Sequence, residues 1–243
     1  GWRLLADDAA DVAFDVLRSD KPEGPFAAVN SQPVTGSTNF VDTSTNEGQT
    51  WYYRVAARLA DGKVSESKPA RVVTAQTGQP FIEFNLPEGE SQAERVGIAD
   101  LNGDGVYDFV VKCPKGTVDP FVWSKSPRTI KLYAIDSTGK HLWTHDMGWN
   151  IENGIWYSPY VVADCDADGK ADVFVKYAPG KDHRDPQGKV QSGPEYLAKL
   201  DGLTGKIVKT TPWHDRSGYL KHPYGNGSRN FLYAAYVNGK TPS

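Results

Sequence analysis

The sequence is poor in cysteine and contains no long apolar run. Its 243 residues include two cysteines, Cys113 and Cys165, which are too few for a small disulfide scaffold. We expect both to be buried free thiols, and a disulfide between them stays open as the alternative. No window approaches the roughly 18 consecutive apolar residues of a membrane-spanning helix, so we expect no membrane partner.

The sequence also lacks an excess of charge of one sign and any long helical periodicity. It has 27 Lys and Arg residues against 30 Asp and Glu residues, with a formal net charge of −3. This balance gives no basic surface for nucleic acid or an anionic membrane, so we expect no nucleic-acid partner. Glycine (24) and proline (16) are frequent, which favours a turn-rich, all-β chain of one or two domains.

Residues 1–78 are predicted to form a small support domain. Three segments have the composition of strands, at 12–17, 51–57 and 70–74, and turns such as Asp61-Gly62 separate them. The last two strands are typical of a fibronectin type III-like β-sandwich. The region contains no motif that carries chemistry.

From about residue 95 the chain repeats itself. Residues 98–112 are similar to residues 162–176 at an offset of 64, and residues 132–140 are similar to residues 197–206. Each unit therefore has about 64–66 residues and room for four strands. Units of this kind are typical of β-propeller blades with long loops.

Residues 79–243 are accordingly predicted to be the first two blades of a β-propeller and the start of a third, whose opening strand is 231–237. A closed propeller needs at least about four blades. The chain opens with Gly1-Trp2, in sequence typical of a mid-strand position. We therefore expect residues upstream, and we expect the remainder of the propeller to lie outside this sequence as its partner.

Both repeats contain an acidic loop of the form D-x-[DN]-x-D-G-x-x-D. Oxygen ligands recur at positions 1, 3, 5 and 9, and the backbone carbonyl of position 7 completes the set. The ligands are all hard oxygens, which favours calcium over zinc or copper. The predicted ligands are Asp100, Asn102, Asp104, Val106 and Asp108 in the first loop, and Asp164, Asp166, Asp168, Lys170 and Asp172 in the second.

These loops differ from EF-hands. Position 12, normally a bidentate Glu, is Val111 or Val175, and strand sequence follows each loop instead of a helix. One such loop alone is open to a second interpretation as an ordinary Asx-rich turn. Two loops in register favour calcium that staples a β-hairpin and has a structural role.

The long loops are predicted on the face opposite the acidic loops, because successive antiparallel strands end at alternate edges. They cover about 113–128, 147–157, 177–194 and 211–229. These loops contain aromatic rings, which stack on pyranose faces, and arginines, which bind the carboxylate of a uronate through two hydrogen bonds, so they suit an acidic sugar. The candidate substrate-binding residues are Asn150, Glu152, Trp156, Tyr157 and Arg184. The alternative is that these tryptophans are spacers between blades.

Several segments resemble polysaccharide lyase family 11, the rhamnogalacturonan lyases. The resemblance covers nearly the whole chain and is carried by residues 2–5, 12–16, 34–42, 148–159, 184–197 and 228–239 and by the first acidic loop. It implies a β-sandwich joined to an eight-bladed propeller with several calcium ions. It also implies a secreted, extracellular enzyme of pectin degradation that cleaves the rhamnose–galacturonate backbone of rhamnogalacturonan I. Cys165 and Ala167 depart from the family pattern in the second loop.

The activity that the resemblance implies is β-elimination, which needs a base at C5 of galacturonate. The catalytic base is not identified in this chain, and the missing blades are one place for it. Weak candidates are Lys112 and Lys176 at strand ends, and a solvated structural lysine is the alternative at both. Whether the 243-residue chain is active by itself stays open. The rival function is a non-catalytic, calcium-binding propeller for carbohydrate binding or adhesion.

Overall fold

The computed structural model describes residues 1–4, 8–59, 61–74, 81–116, 125–215, 229–239 and 242. These residues form strands and no helix, which confirms the all-β prediction. The strands are β1 (Ala13–Ser19), β2 (Ala27–Ala28), β3 (Thr50–Arg58), β4 (Val64–Glu66), β5 (Ala70–Val73), β6 (Arg95–Ala99), β7 (Asp108–Cys113), β8 (Lys131–Ile135), β9 (His141–Asp146), β10 (Tyr160–Ala163), β11 (Asp172–Tyr177), β12 (Tyr196–Leu200) and β13 (Ile207–Pro212). Within the described ranges nothing helical is present that could cross a bilayer.

The chain divides into two compact units. The first contains Gly1–Ile82, Asp104–Val106 and Tyr236–Thr241, and the second contains Glu83–Gly103, Tyr107–Ala235 and Pro242–Ser243. In the first unit β1 pairs with β2 and β3, and the far edge of β3 pairs with β4 near its end and with β5 near its start. The three predicted strands are therefore confirmed as β1, β3 and β5. In its described residues this unit has one five-stranded sheet.

Alternation along β1 builds the core of the first unit. Phe14 and Val16 are buried, whereas the carboxylate of Asp15 between them pairs with Arg58 at 2.7 Å. Successive side chains of a strand point to opposite faces, so this pattern buries one face of the sheet. The Trp2 ring meets Phe14 edge-on, with ring centroids 5.2 Å apart.

The second unit contains two antiparallel sheets of four strands, in the order β6-β7-β8-β9 and β10-β11-β12-β13. Their registers correspond: Phe109 faces Ile135 in the first sheet, and Val173 faces Leu200 in the second. Both sheets have an irregularity at the equivalent step of the third strand, at Ala134/Ile135 and at Lys199/Leu200. The prediction of four strands in each repeat is confirmed.

The two sheets share one apolar core. It contains Leu101, Val110, Ile130, Leu132, Ala134, Trp143, Met147 and Ile151 from the first repeat, and Tyr160, Ala171, Val173, Val175, Ala178, Ala198 and Leu200 from the second. Polar groups at its border are satisfied across the repeats. The Trp143 indole donates to the Gly202 carbonyl at 2.7 Å, and the Tyr160 hydroxyl donates to the Val110 carbonyl at 2.8 Å. Burial without such partners would be destabilising.

Two sequence predictions need correction. Residues 231–237, predicted as the opening strand of a third unit, form no ladder in the described part of the chain. A strand exists only where a neighbour satisfies its backbone groups, and this segment has none there. Both cysteines are free, as predicted, but Cys113 is buried and Cys165 is only half-buried, because Cys165 lies in the exposed second acidic loop.

Candidate functional site

The second acidic loop gathers three carboxylates. Ligand oxygens of Asp164, Asp166 and Asp168 lie within 4.8 Å of one another. Backbone donors hold this arrangement: the Asp164 carboxylate accepts the N–H groups of Asp168 at 3.2 Å and Gly169 at 2.9 Å. Ala167 has a φ of 60°, in the left-handed region that non-glycine residues seldom adopt.

The fourth carboxylate of this loop, Asp172, is bound to a lysine from β12. The Lys199 ammonium lies 2.6 Å from Asp172 and 3.2 Å from Asp166. The hydrogen bond with Asp172 raises the pKa of Lys199, with a further contribution from Asp166. Burial raises the pKa of Asp172, although Lys199 opposes this shift.

Backbone N–H groups bind the carboxylates of the first acidic loop, and the Arg71 guanidinium donates to the Asp104 carbonyl at 3.2 Å. Asp100 accepts the Gly103 N–H at 2.6 Å, and Asp104 accepts the Val106 N–H at 2.7 Å. Asp108, at the ninth position, is 1% exposed and accepts the N–H groups of Leu101 at 3.0 Å and Ser137 at 3.2 Å.

The chemistry of both loops fits calcium. Each offers only carboxylate, amide and carbonyl oxygens, which are the ligands that Ca²⁺ takes. Repulsion among gathered carboxylates is relieved by a bound cation. At Val106 and Lys170 the backbone carbonyl would be the ligand, since neither side chain has an oxygen. The loop residues that the sequence singles out thus remain candidates for a metal, with Asp172 engaged by Lys199.

The two candidate base lysines are both buried. Lys112 forms an ion pair with Glu94 and donates to the Ser158 carbonyl at 2.7 Å and hydroxyl at 2.8 Å. Burial lowers the pKa of Lys112, although Glu94 opposes this shift. The solvated strand-end interpretation is wrong for both lysines, because each is 0% exposed.

Lys176 repeats this arrangement with different partners. Its ammonium lies 2.7 Å from Glu195 and 5.4 Å from the centre of the Trp213 ring. In this structure both ammonium groups are buried in ion pairs. Sequence reasoning missed Glu94 and Glu195 as partners, although a lysine inside an apolar strand is itself a signal that a buried counter-ion is needed.

Two of the candidate substrate-binding residues hold the long loop of the second repeat in place. Asn150 is 0% exposed, accepts the His183 N–H at 2.9 Å and donates to the Pro179 carbonyl at 3.4 Å. Glu152, also buried, accepts the Val190 N–H at 3.2 Å. Both side chains therefore bind the backbone of the 177–194 loop from the 147–157 loop.

Arg184 is the centre of a second set of contacts between these loops. Its guanidinium binds both oxygens of Asp182, at 2.9 and 3.1 Å, and donates to the Ser126 carbonyl at 3.3 Å. It also lies 5.1 Å from the Trp149 ring centre. The hydrogen bond from Arg184 holds the pKa of Asp182 well below its usual range. The arginine side chain is 2% exposed, so its donors serve the fold in this structure.

The remaining two candidates lie beside this network. Tyr157 is buried, and Trp156 is half-buried with its ring edge-on to Phe231 at 4.7 Å. The Trp156 carbonyl accepts the Asn230 N–H at 2.7 Å. Parts of the predicted long loops, at 117–124 and 216–228, lie outside the described residues. We call the contacts of Asn150, Glu152 and Arg184 the loop network.

Close backbone contact accompanies the loop network. Gly148 has a φ of 92°, and a Cβ there would lie 2.0 Å from the Ala178 carbonyl oxygen. Only glycine fits this position, because it combines a left-handed conformation with a neighbour that leaves no room for a side chain. The Ala178 N–H donates to the Met147 carbonyl at 2.8 Å, so the two repeats are joined here backbone to backbone.

Comparison with known proteins matches a rhamnogalacturonan lyase family model to each of two segments of the chain. The family "Rhamnogalacturonan lyase family 11, C-terminal domain" matches residues 86–243, and "Rhamnogalacturonan I lyases beta-sheet domain" matches residues 1–73. Rhamnogalacturonan endolyase YesW of Bacillus subtilis (strain 168) is 32% identical over 275 residues, and rhamnogalacturonan exolyase YesX of the same organism is 30% identical over 268 residues.

The alignments with both relatives cover 100% of this chain but 42% of each relative, so the chain spans less than half of their length. Among solved structures, the Bacillus licheniformis rhamnogalacturonan lyase PL11 superposes with a TM-score of 0.61 at 27% identity, covering 99% of this chain and 44% of that one. The resemblance predicted from the motifs is confirmed. With 86–243 matched to its C-terminal domain, the chain belongs to rhamnogalacturonan lyase family 11.

Proposed function

We propose that the whole protein is a calcium-dependent lyase that cleaves the rhamnose–galacturonate backbone of pectic rhamnogalacturonan I. The observation that carries this proposal is family membership over residues 86–243, supported by two curated relatives that are both rhamnogalacturonan lyases. Rhamnogalacturonan I is a polysaccharide that does not enter a cell intact, so an extracellular location is part of the same proposal.

The proposed reaction is β-elimination at galacturonate. A base removes the proton at C5, and negative charge develops on the adjacent carboxylate. The C4–O4 bond then breaks, which leaves a 4,5-unsaturated galacturonate, and the departing glycosidic oxygen takes up a proton to become the anomeric hydroxyl of the released rhamnose. A divalent cation would supply electrostatic stabilisation of that developing charge. The described residues contribute position: the loop network fixes the 177–194 loop against the 147–157 loop, which orients any substrate-facing group on them.

We also propose that the second unit is part of a β-propeller and that the first is a fibronectin type III-like sandwich. Two features of the second unit support the propeller. Its two four-stranded sheets repeat in register and share a core. Residues Leu232, Tyr233 and Ala234 line a cavity of about 300 Å³ with Phe174 and Leu197 of the second sheet, on a face that a following blade would cover.

Both acidic loops are proposed to bind calcium with a structural role. Support comes from the donor set and from the carboxylate cluster of the second loop. Calcium bound to the folded state alone stabilises it by mass action. A chelator is therefore expected to lower the melting temperature of the chain, and calcium added back is expected to restore it. Identical melting curves in calcium and in chelator would contradict this part of the proposal.

The lyase proposal is tested on the complete gene product, with the 243-residue chain assayed in parallel. Rhamnogalacturonan I is expected to yield products with the ultraviolet absorbance of a 4,5-unsaturated uronate, and homogalacturonan, the matched control polymer, is expected to yield almost none. A chelator should abolish the signal. Saturated products only, or binding without cleavage in the presence of calcium, would replace the lyase with a carbohydrate-binding propeller.

Arg184 and Trp156 separate a direct role in binding from an indirect one. The Arg184 guanidinium binds Asp182 through two of its nitrogens, Nε and Nη2. Arg184→Lys should therefore lower turnover and melting temperature together, since lysine cannot make this bidentate contact. Half-buried Trp156 is the better candidate for direct contact, and Trp156→Ala should reduce turnover more than stability. Loss of turnover in Arg184→Lys with an unchanged melting curve would instead assign Arg184 to the substrate.

A further inference from the structure

The strands β8 and β12, which lie beside the two acidic loops, have different residues at one equivalent position. In the first sheet Ala134 of β8 pairs with Val110, and in the second sheet Lys199 of β12 pairs with Phe174. These are equivalent places in the two ladders, one step before the irregularity of each strand. The first repeat thus has a buried methyl group where the second has an ammonium group.

The ammonium group changes what surrounds the ninth-position carboxylate. In the second loop Lys199 lies 2.6 Å from Asp172 and 3.2 Å from Asp166, so one cation bridges two of the predicted calcium ligands. In the first loop the equivalent Asp108 accepts two backbone N–H groups, which are neutral donors. Positive charge is therefore built into the second loop beside its ninth-position carboxylate.

An ammonium ion and Ca²⁺ satisfy the same carboxylate oxygens and repel each other. We propose that Lys199 is a built-in counter-cation of the second loop, which holds Asp166 and Asp172 while calcium is absent and weakens calcium binding there. This proposal rests on calcium binding by the loops, as proposed above. Calcium entering the second loop displaces the Lys199 ammonium group from Asp166 and Asp172.

The competing explanation is an ordinary structural ion pair that is indifferent to calcium. The two explanations predict opposite changes in stability when Lys199 is replaced in the presence of calcium. A structural ion pair stabilises the fold whether or not calcium is present, so its loss lowers stability in both conditions. A counter-cation stabilises the fold only without calcium, because with calcium bound its charge opposes the ion.

The test uses the full chain with Lys199→Met, which keeps the aliphatic stem beside Phe174 and removes the charge. The matched control is Lys209→Met on β13, which removes the same charge from the exposed residue directly across the ladder. Melting is followed in a calcium chelator and in saturating calcium, and calcium binding is measured by titration calorimetry and equilibrium dialysis.

We expect Lys199→Met to melt below wild type in chelator and at or above wild type in calcium. One calcium site should tighten by roughly tenfold, as removal of a unit charge about 5 Å from a divalent ion implies in water-like surroundings. Lys209→Met should shift both curves little and leave both affinities within about a factor of two.

Three results would overturn the proposal in distinguishable ways. Equal loss of melting temperature in both conditions with unchanged affinities would make Lys199 a structural ion pair and leave calcium binding intact. Equal tightening by both variants would reduce the effect to net charge. Absence of calcium binding to the wild-type chain and to both variants would remove the calcium proposal itself, and this inference with it.

Discussion

The two repeats of the second unit have the same strands in the same register but differ in how they handle charge. The first has Ala134 beside its acidic loop and Lys112 paired with a carboxylate that is 1% exposed. The second has Lys199 at the loop and Lys176 paired with a carboxylate that is 13% exposed. Continuous apolar runs on the central strands β7 and β11 set the ladder, so charged groups near its ends are free to differ between copies.

The largest expected difference between the repeats is at the buried lysines. Lys112→Met leaves Glu94 as an uncompensated buried charge, which should lower the free energy of unfolding by about 3–5 kcal/mol. Lys176→Met should lower it by about 2 kcal/mol, since Glu195 keeps some contact with water. Urea denaturation of both variants measures the difference.

The double variant Glu94→Leu with Lys112→Met is the control for this prediction. A buried ion pair replaced by apolar residues is often neutral, so the double variant should recover most of the loss. A double variant as unstable as Lys112→Met alone would show that the hydrogen bonds to Ser158, and not the charge on Glu94, make Lys112 important.

The next effect concerns the backbone contact between the repeats. Gly148→Ala should destabilise the fold by about 3 kcal/mol, because its φ is 92° and the added methyl group would overlap the Ala178 carbonyl. Gly180→Ala, with a φ of 103° and open space around it, isolates the conformational part at about 1 kcal/mol. Equal losses in the two variants, by urea denaturation, would mean that the chain shifts to relieve the overlap.

A smaller effect distinguishes the fourth positions of the acidic loops. Gly103 has a φ of 81° and Ala167 a φ of 60°, so both are left-handed. Gly103→Ala should destabilise by about 1–2 kcal/mol, whereas Ala167→Gly should stabilise by about 0.5 kcal/mol after the greater freedom of the unfolded chain is subtracted. Denaturation in chelator compares the loops without the ion. Destabilisation by Ala167→Gly would show that the alanine methyl group makes a favourable contact.

The smallest expected effect is a pH dependence that belongs to the first repeat. Burial lowers the pKa of His145, whose ring lies 5.5 Å from Tyr177 and whose Nε2 has no hydrogen-bond partner within the described residues. Near pH 6.5 the unfolded chain therefore binds a proton at His145 that the folded chain does not bind. The free energy of unfolding should consequently fall as the pH drops below about 6.5.

His145→Gln removes this titration and is the control. Between pH 7 and pH 5 the wild type should lose more stability than the variant, because only the wild type has a histidine with a lowered pKa at this position. The second repeat has Thr211 at the matching place, on a strand that is exposed along its length, so it contributes no such titration. Parallel stability–pH curves for the two proteins would contradict the assignment.

Local patterns in the sequence predicted the strands and the repeat. Residues 98–112 and 162–176 carry their own signals: an acidic turn, a glycine and then an apolar run, each decided by neighbours a few positions away. The four strands of each repeat followed directly. The predicted strand at 231–237 failed because a ladder needs a partner, and no partner is visible in the segment itself.

The candidate site was harder to predict because its contacts are distant in sequence. Lys112 and Ser158 are 46 residues apart, and Arg184 and Ser126 are 58 residues apart. A polar residue on a long loop has the same sequence signature whether it faces a sugar or the backbone of another loop. The sequence therefore predicts substrate contact for Asn150, Glu152 and Arg184, and the structure shows hydrogen bonds from them to the protein that the sequence does not predict.

The loop network also has a consequence for the order in which the molecule folds. Hairpins such as β8–β9 join residues close in sequence, whereas the contacts of Arg184 and Asn150 must wait until both sheets are in place. Contacts across long chain segments form late because the entropy of closing the segment is lost before they do. Disruption of these contacts should therefore speed unfolding and leave the folding rate almost unchanged, so that the loop surface opens before the sheets come apart.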